Sequence, residues 1–271
     1  MRKLKRVGIT GRLSNKLAIS AAKKAVRFFE KKNIDYVVDE NFPAVKKNLK
    51  ELSEFGRTEK LDCIFAFGGD GTFLRTIRTL PRDIPVVGVN CGKLGFLLEM
   101  DAKNIVKELS VISEGNYYLE KRSRLYARVD GNKLPFAMNE VAVVPKLSGR
   151  LVKYCINIDD WFSRKEGSDG LVVATPTGST GHSLSAGGPI IVADAKVFVV
   201  TSINPIDWSN RPLVINDKST VKLDDFKKGR LEVIIDGQER FDADKKIEIK
   251  KGKYMTLFRV RRALNKLVKF R

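Results

Sequence analysis

Three glycines and one aspartate stand at residues 67–72, "FGGDGT", directly behind the apolar run "CIFAF". Gly68, Gly69 and Gly71 are free to take positive φ and leave no Cβ between backbone N–H groups and a ligand. Successive amides in such a turn form an anion cradle, and a helix beginning at Thr72 would add its positive end, so phosphate is the natural guest. The loop lacks the Gly-Lys-Ser/Thr ending of a Walker A motif and does not follow the G-x-G-x-x-G pattern. A carboxylate in a phosphate cradle repels its guest, so Asp70 needs a task. It can accept the proton of an attacking hydroxyl or hold a magnesium ion on the phosphates. A tight turn with Asp as an ordinary turn residue is the plain alternative.

A second stretch, "SDGLVVATPTGSTGHSLSAGGP" from Ser168 to Pro189, runs from an apolar strand into a crowd of small hydroxyls and glycines. Such residues build no core and suit a wall whose backbone and hydroxyl groups reach a polar ligand. A third piece is Asn139 and Glu140 within the apolar run "FAMNEVAVV". Buried there, both need polar partners, which a sugar's hydroxyls or a turn of the protein can provide.

These pieces must be held by a scaffold. Through the first hundred residues apolar strands alternate with amphipathic stretches: "RVGIT", a helix over "SNKLAISAAKKAVRFFEKKN" capped by Ser14, "IDYVV", a second helix over "AVKKNLKELSEF", "LDCIFAF", a short helix over "TFLRTIRTL" and "VVGVN". This βαβ rhythm predicts a doubly wound, mostly parallel sheet, in which ligands sit beyond the carboxyl ends of the strands. After a further helix over "AKNIVKELSVISEGN", short β-rich runs follow one another, separated by Gly, Asp and Asn turns. They predict an antiparallel, sandwich-like domain. The expected organisation is an α/β phosphate-binding domain over 1–105, a β-rich domain over 106–250, and a closing strand and amphipathic helix over 251–271 that returns to the first domain.

Composition narrows the class. The chain has 271 residues, 43% hydrophobic and 31% charged, which is a globular composition. No apolar run reaches a membrane span, and the N-terminus lacks an apolar core and cleavage site, so a cytoplasmic protein without a membrane partner is expected. Cys63, Cys91 and Cys155 are scattered, which points to free thiols rather than a zinc site. The 51 Lys and Arg against 32 Asp and Glu give +19, with a net +10 in residues 245–271 alone. That charge attracts nucleotides, polyphosphate or nucleic acid. Without zinc-finger spacing or an RNP-type aromatic motif, nucleic acid is the weaker reading.

"GGDGTFL", "CGKLGFL", the Asn139–Glu140 pair, "DGLVVATPTGSTGHSLSAGGP", "SNRPLV" and "DGQ" at 236–238 occur in the order and spacing of the NAD kinase family, which the sequence resembles over nearly its whole length. The glycine loop alone is similar to that of diacylglycerol, sphingosine and 6-phosphofructo-kinases; the long block after Asp169 separates the chain from these lipid and sugar kinases. A non-catalytic nucleotide- or nucleic-acid-binding protein is the other alternative, against which the presence of Asp70 argues. The resemblance implies transfer of a phosphoryl group from ATP or polyphosphate, with a divalent metal such as Mg²⁺, to the 2′-hydroxyl of the adenosine ribose of NAD, giving NADP. It implies Asp70 as general base, with Gly69, Gly71, Thr72 and Arg75 at the phosphates and Phe96 against the adenine. Asn139 and Glu140 would meet ribose and phosphates. Arg150, Asp169, Gln238 and the run Thr180, Gly181, His182, Ser183, Leu184 and Ser185 would complete the NAD site. A homodimer or homotetramer in which a neighbour supplies part of each site is also implied.

Two departures stand out. His182, the only histidine, occupies the place of a usual tyrosine; imidazole keeps the flat ring, shortens the reach and adds a route to pH-dependent affinity. Gly167 stands where many members carry arginine, with Arg164 and Lys165 nearby as possible substitutes.

Overall fold

A computed structural model describes residues 3–44, 47–58, 60–92, 95–147, 151–227 and 231–260. The chain divides into two compact units: residues 1–121 with 255–271, and residues 122–254. The first unit therefore extends past the expected boundary at 105, because the Ile105–Ser113 helix packs Ile105, Leu109 and Ile112 into its core. The Tyr117–Arg122 strand also belongs to the sheet of this unit.

That sheet runs in the order Leu49–Lys50, Asp35–Asp39, Arg6–Gly11, Cys63–Gly68, Val86–Asn90, Met255–Val260, Tyr117–Arg122, with Met100–Asp101 paired beside Val86–Asn90. From Leu49–Lys50 across to Met255–Val260 every pairing is parallel. Residues 63–68 are buried throughout, as a parallel strand covered on both faces requires. The helix Lys16–Lys31 lays Ala18, Ala21, Ala22, Ala25, Val26 and Phe29 on the sheet, where Phe29 meets Phe65 at a ring distance of 5.3 Å. These positions follow the helical period, and the alanines let the helix approach closely. Its cap is Asn15, not Ser14: the Asn15 Oδ1 accepts the N–H groups of Leu17 and Ala18 at 2.9 and 3.1 Å.

The second expected helix is not formed. Its residues give the short strand Leu49–Lys50, a 3₁₀ turn Leu52–Glu54 and one helical turn Phe55–Thr58. Asn48 adopts φ 54°, a left-handed conformation that stops a helix, while its side-chain amide donates to the Tyr36 carbonyl at 3.1 Å. Met255–Val260 joins the first sheet, where Asp83 holds it by accepting Thr256 N–H and Oγ1–H, each at 2.7 Å. The amphipathic helix expected within 261–271 lies outside the described residues.

The second unit is a sandwich of two six-stranded antiparallel sheets. One has the order Leu213–Asn216, Val197–Ile203, Gly170–Ala174, Glu140–Pro145, Leu231–Ile235, Glu239–Ala243. The other has Phe162–Ser168, Val152–Ile158, Val221–Lys227, Ile247–Lys251, Leu125–Val129, Asn132–Ala137. Alternate residues such as Val141, Val143, Leu171 and Val173 face Ile156, Leu223 and Ile249 in a single apolar core. Tight turns carry the expected chemistry: Asp236 and Gly237 both have positive φ, 50° and 66°, the mirror-image turn that suits a hairpin's twist.

Candidate functional site

The glycine loop closes the Cys63–Gly68 strand at the carboxyl edge of the parallel sheet. There it lies beside the end of Arg6–Gly11, where Gly11 pairs with Phe67. From Arg6–Gly11 the chain crosses to Asp35–Asp39 on one side, while Cys63–Gly68 lies on the other. This is the strand-order reversal at which such sheets bind ligands.

The helix after the loop starts at Asp70 and runs to Thr79, so Thr72 lies within its first turn rather than at its start. None of Gly68, Gly69 and Gly71 has positive φ. At Gly68 the glycine requirement is one of space. A Cβ on Gly68 would sit 2.3 Å from Thr72 Oγ1, so the helix can turn this tightly only over a glycine. A Cβ on Gly69, the helix cap, would meet nothing within 4 Å. Protein packing does not require glycine at 69, and a ligand that approaches the bare backbone would.

Asp70 is fixed by the segment that carries Phe96. The Phe96 N–H donates to its Oδ2 at 2.9 Å and the Leu97 N–H to its Oδ1 at 3.1 Å. Each carboxylate oxygen keeps a further lone pair for a hydroxyl. The Phe96 side chain is 80% exposed, a large apolar ring on the segment that clamps the carboxylate. Arg75, one turn into the helix, reaches back so that its Nη2 donates to the Gly11 carbonyl at 3.3 Å. Asp70, Gly69, Gly71, Thr72, Arg75 and Phe96 all belong to the first unit.

The second unit holds the other predicted residues. Glu140 opens its strand and pairs with Ala174, so the residues after Ala174 lie beside it. Thr175 ties them together: its N–H donates to the Asn139 carbonyl at 2.8 Å, and its Oγ1 to the Met138 carbonyl at 2.7 Å. Gly178 is pressed onto Asn139 so closely that a Cβ would fall 2.1 Å from the Asn139 carbonyl oxygen. The Asn139 Oδ1 is buried without a hydrogen-bond partner. Glu140 is buried, 6% exposed, and burial followed by the Asp236 charge pushes its carboxyl from 4.5 up to about 7. An orphan acceptor beside a buried carboxyl suits a ligand rich in hydroxyl groups.

The Ser/Thr-rich wall divides into two kinds of residue. Thr180, Gly181, His182 and Ser185 are exposed, and Leu184 is half-buried. Ser183 is fully buried and shares a 3.0 Å hydrogen bond with Thr201 Oγ1, while Ser179 Oγ donates to the Pro176 carbonyl and accepts the Ile191 N–H. Gln238 is exposed in the Asp236–Gly237 turn, its N–H donating to the Ile235 carbonyl at 2.9 Å. Asp169 precedes the Gly170–Ala174 strand, whereas Asn139 and Glu140 sit at its far end, about 16 Å away at roughly 3.3 Å per residue. Asp169 instead accepts Asn204 Nδ2 at 3.0 Å. Arg150 lies outside the described residues.

Gly167 is held close to Ile206. A Cβ there would meet Ile206 Cδ1 at 2.7 Å, and the Gly167 carbonyl accepts the Ile206 N–H at 2.9 Å. Neighbouring Arg164 is engaged by Glu166 at 2.7 Å and lies over the Phe162 ring. Among the described residues no group of three or more His, Cys, Asp or Glu could hold a metal ion, and no helix is long and apolar enough to cross a membrane.

Sequence reasoning missed Asp236, whose carboxylate accepts the N–H groups of Met138, Asn139 and Glu140. The "DGQ" motif at 236–238 includes it, but a common Asp-Gly turn explains an aspartate there, and the resemblance implies a role for Gln238 alone.

Residues 7–117 match the ATP-NAD kinase N-terminal domain and residues 138–260 the ATP-NAD kinase C-terminal domain. The NAD kinase of Methanopyrus kandleri is 32% identical over 93% of this chain and 91% of its own length. That of Methanothermobacter thermautotrophicus is 36% identical over 86% and 83%. The fold is shared with an NAD kinase from Archaeoglobus fulgidus in complex with ATP, at TM-score 0.78 and 24% identity over 94% of this chain and 93% of that one. It is shared also with yeast NADH kinase complexed with NADH, at TM-score 0.84 and 23% identity over 98% and 86%. With both domain families matched and relatives this similar along most of their length, the chain belongs to the NAD kinase family of enzymes.

Proposed function

We propose that this enzyme transfers the terminal phosphoryl group of ATP or polyphosphate to the 2′-hydroxyl of the adenosine ribose of NAD, with Asp70 as general base. The observation that carries the reading is a carboxylate clamped by two backbone amides beside an open glycine, at the strand-order reversal of a parallel sheet. The 2′-oxygen attacks phosphorus and gives its proton to Asp70. The bond to the bridging oxygen breaks, releasing ADP or a polyphosphate shortened by one unit. A ribose hydroxyl is a weak nucleophile, and a positioned base contributes roughly 10²–10⁴-fold. The backbone at Gly69 and Gly71, with Thr72 and Arg75, receives donor phosphates, and Phe96 covers the adenine. Asn139 Oδ1 and the Glu140 carboxyl take ribose hydroxyls, while Gln238 and Thr180–Ser185 line the dinucleotide. A magnesium ion belongs to the substrate here, carried on the donor's phosphates, as is usual for this ion.

We also read the enzyme as a cytoplasmic homodimer or homotetramer. Three free thiols suit the compartment. The remote position of Asp169 from Asn139 and Glu140 suits a site to which a second copy contributes that carboxylate.

The test is an assay of purified protein with NAD, Mg²⁺ and either ATP or polyphosphate, with NADP read by an NADP-specific dehydrogenase. Formation of NADP supports the reading and identifies the donor. A folded protein that makes none with either donor refutes it.

A further inference from the structure

The geometry points to Asp236 as a positioning residue of the substrate site: its carboxylate anchors the backbone of residues 138–140 and so aims the Asn139 and Glu140 side chains. The inference rests on the proposed role of those two residues in holding NAD. Asp236 is buried, 6% exposed, at the first central position of the turn between Leu231–Ile235 and Glu239–Ala243. Its Oδ1 accepts the Asn139 N–H at 2.7 Å and the Glu140 N–H at 3.4 Å, and its Oδ2 accepts the Met138 N–H at 3.1 Å. In return the Asp236 N–H donates to the Glu140 carbonyl at 3.1 Å. Three consecutive amides thus converge on one carboxylate that is itself bonded to the same strand.

The carbonyl groups of this segment are secured from the opposite side. Thr175 donates to Met138 and Asn139 carbonyls, and Gly178 packs on the latter. Met138 and Asn139 are therefore fixed through donors and acceptors alike, although they lie outside the regular strand that begins at Glu140. A buried amide without an acceptor is costly, so the arrangement resists rotation of either peptide. What the rigidity serves is visible at the tip: Asn139 Oδ1 is an orphan acceptor, and a group in that condition needs a fixed direction to be of use to a ligand.

Asp236→Asn is the informative variant. Asn tolerates left-handed φ at least as well as Asp, so the turn is preserved. The side-chain amide then faces Met138 N–H, donor against donor, and the anchor is weakened without loss of volume. Expected is a rise of about tenfold in KM for NAD with kcat within about twofold, because the residues Asp236 aims hold substrate in ground and transition states alike. In an Asn139→Ala background the same change is expected to raise KM threefold or less, since one of its two targets has gone. A full tenfold rise in both backgrounds, or wild-type KM in the Asn variant, overturns the inference.

Should Asp236→Asn fail to fold, Asp236→Glu keeps the charge and shifts the oxygens by one methylene. It is expected to show the same KM rise, and wild-type KM there overturns the inference too. If wild-type protein forms no NADP, the phosphorylation reading fails by itself. Asp236 is then judged from calorimetric NAD affinity, where a tenfold loss sustains it, unchanged affinity overturns it, and absence of NAD binding to wild type overturns both.

Discussion

The Asp70 carboxylate and the Phe96 backbone are joined by a 2.9 Å hydrogen bond, so the candidate base is tied to the segment that carries an exposed aromatic ring. The Leu97 amide on the other oxygen makes the clamp two-sided. Replacing Asp70 with Asn keeps the shape and one acceptor but removes proton affinity. Turnover is expected to fall by roughly 10²–10⁴, while NAD affinity stays within a few-fold. Single-turnover NADP formation and calorimetry on the same preparation check both halves. Near wild-type kcat would remove Asp70 from the role of base.

Phe96→Ala separates substrate binding from folding. A ring 80% exposed contributes little to the core, so melting temperature is expected within about 2 °C of wild type. If the ring covers adenine, KM rises by about tenfold, in keeping with an aromatic contact of roughly 1–3 kcal/mol. An unchanged KM for both substrates would show that the ring serves something else.

Two glycines are expected to respond in opposite ways to the same methyl group. Gly178→Ala drives a Cβ to 2.1 Å from a backbone oxygen, and relief requires moving the Asn139 segment. A loss of about 1–3 kcal/mol is expected in denaturant titration. Gly69→Ala meets no protein atom and has ordinary φ, so stability changes by less than about 1 kcal/mol. Its effect is expected on the KM of the phosphoryl donor, the molecule that would occupy that space. Equal stability losses in the two variants would contradict the packing described.

Glu140 makes stability depend on pH. Its carboxyl is raised from 4.5 to about 7 in the folded chain, first by burial and then by Asp236. A folded-state pKa above the unfolded one means that the native state binds the extra proton. The associated stabilisation is complete below about pH 4.5 and is lost as pH rises through 7. The difference amounts to roughly 3 kcal/mol at most. Glu140→Gln removes this dependence. Denaturant midpoints at pH 5 and pH 8 are therefore expected to show the variant gaining on wild type at the higher pH. A constant gap between the two proteins would disprove the shift.

What the sequence made legible follows from the range of the interactions involved. The Cys63–Gly68 strand, the Lys16–Lys31 helix and the antiparallel second half are written in local periodicity, and each forms where that periodicity puts it. The stretch 44–55 has helical spacing too, but Asn48 takes a left-handed turn whose stabilising amide bond reaches back to Tyr36. Ser183 and Thr180 look alike in the sequence. Only the fold separates the hydroxyl bound to Thr201 from the one left exposed. Asp236 is the extreme case, bonded to residues 96 to 98 positions away, and no window along the chain contains both ends of that contact.

The strand Met255–Val260 lies inside the first sheet, between Val86–Asn90 and Tyr117–Arg122, yet it is encoded after the whole second unit. During synthesis the first 121 residues therefore leave the ribosome with a slot open one strand from the edge of their sheet. The sandwich of residues 122–254 is continuous in sequence, whereas the glycine-loop unit needs a strand encoded after all of it. The glycine-loop unit gains this strand only after the whole second unit has been synthesised.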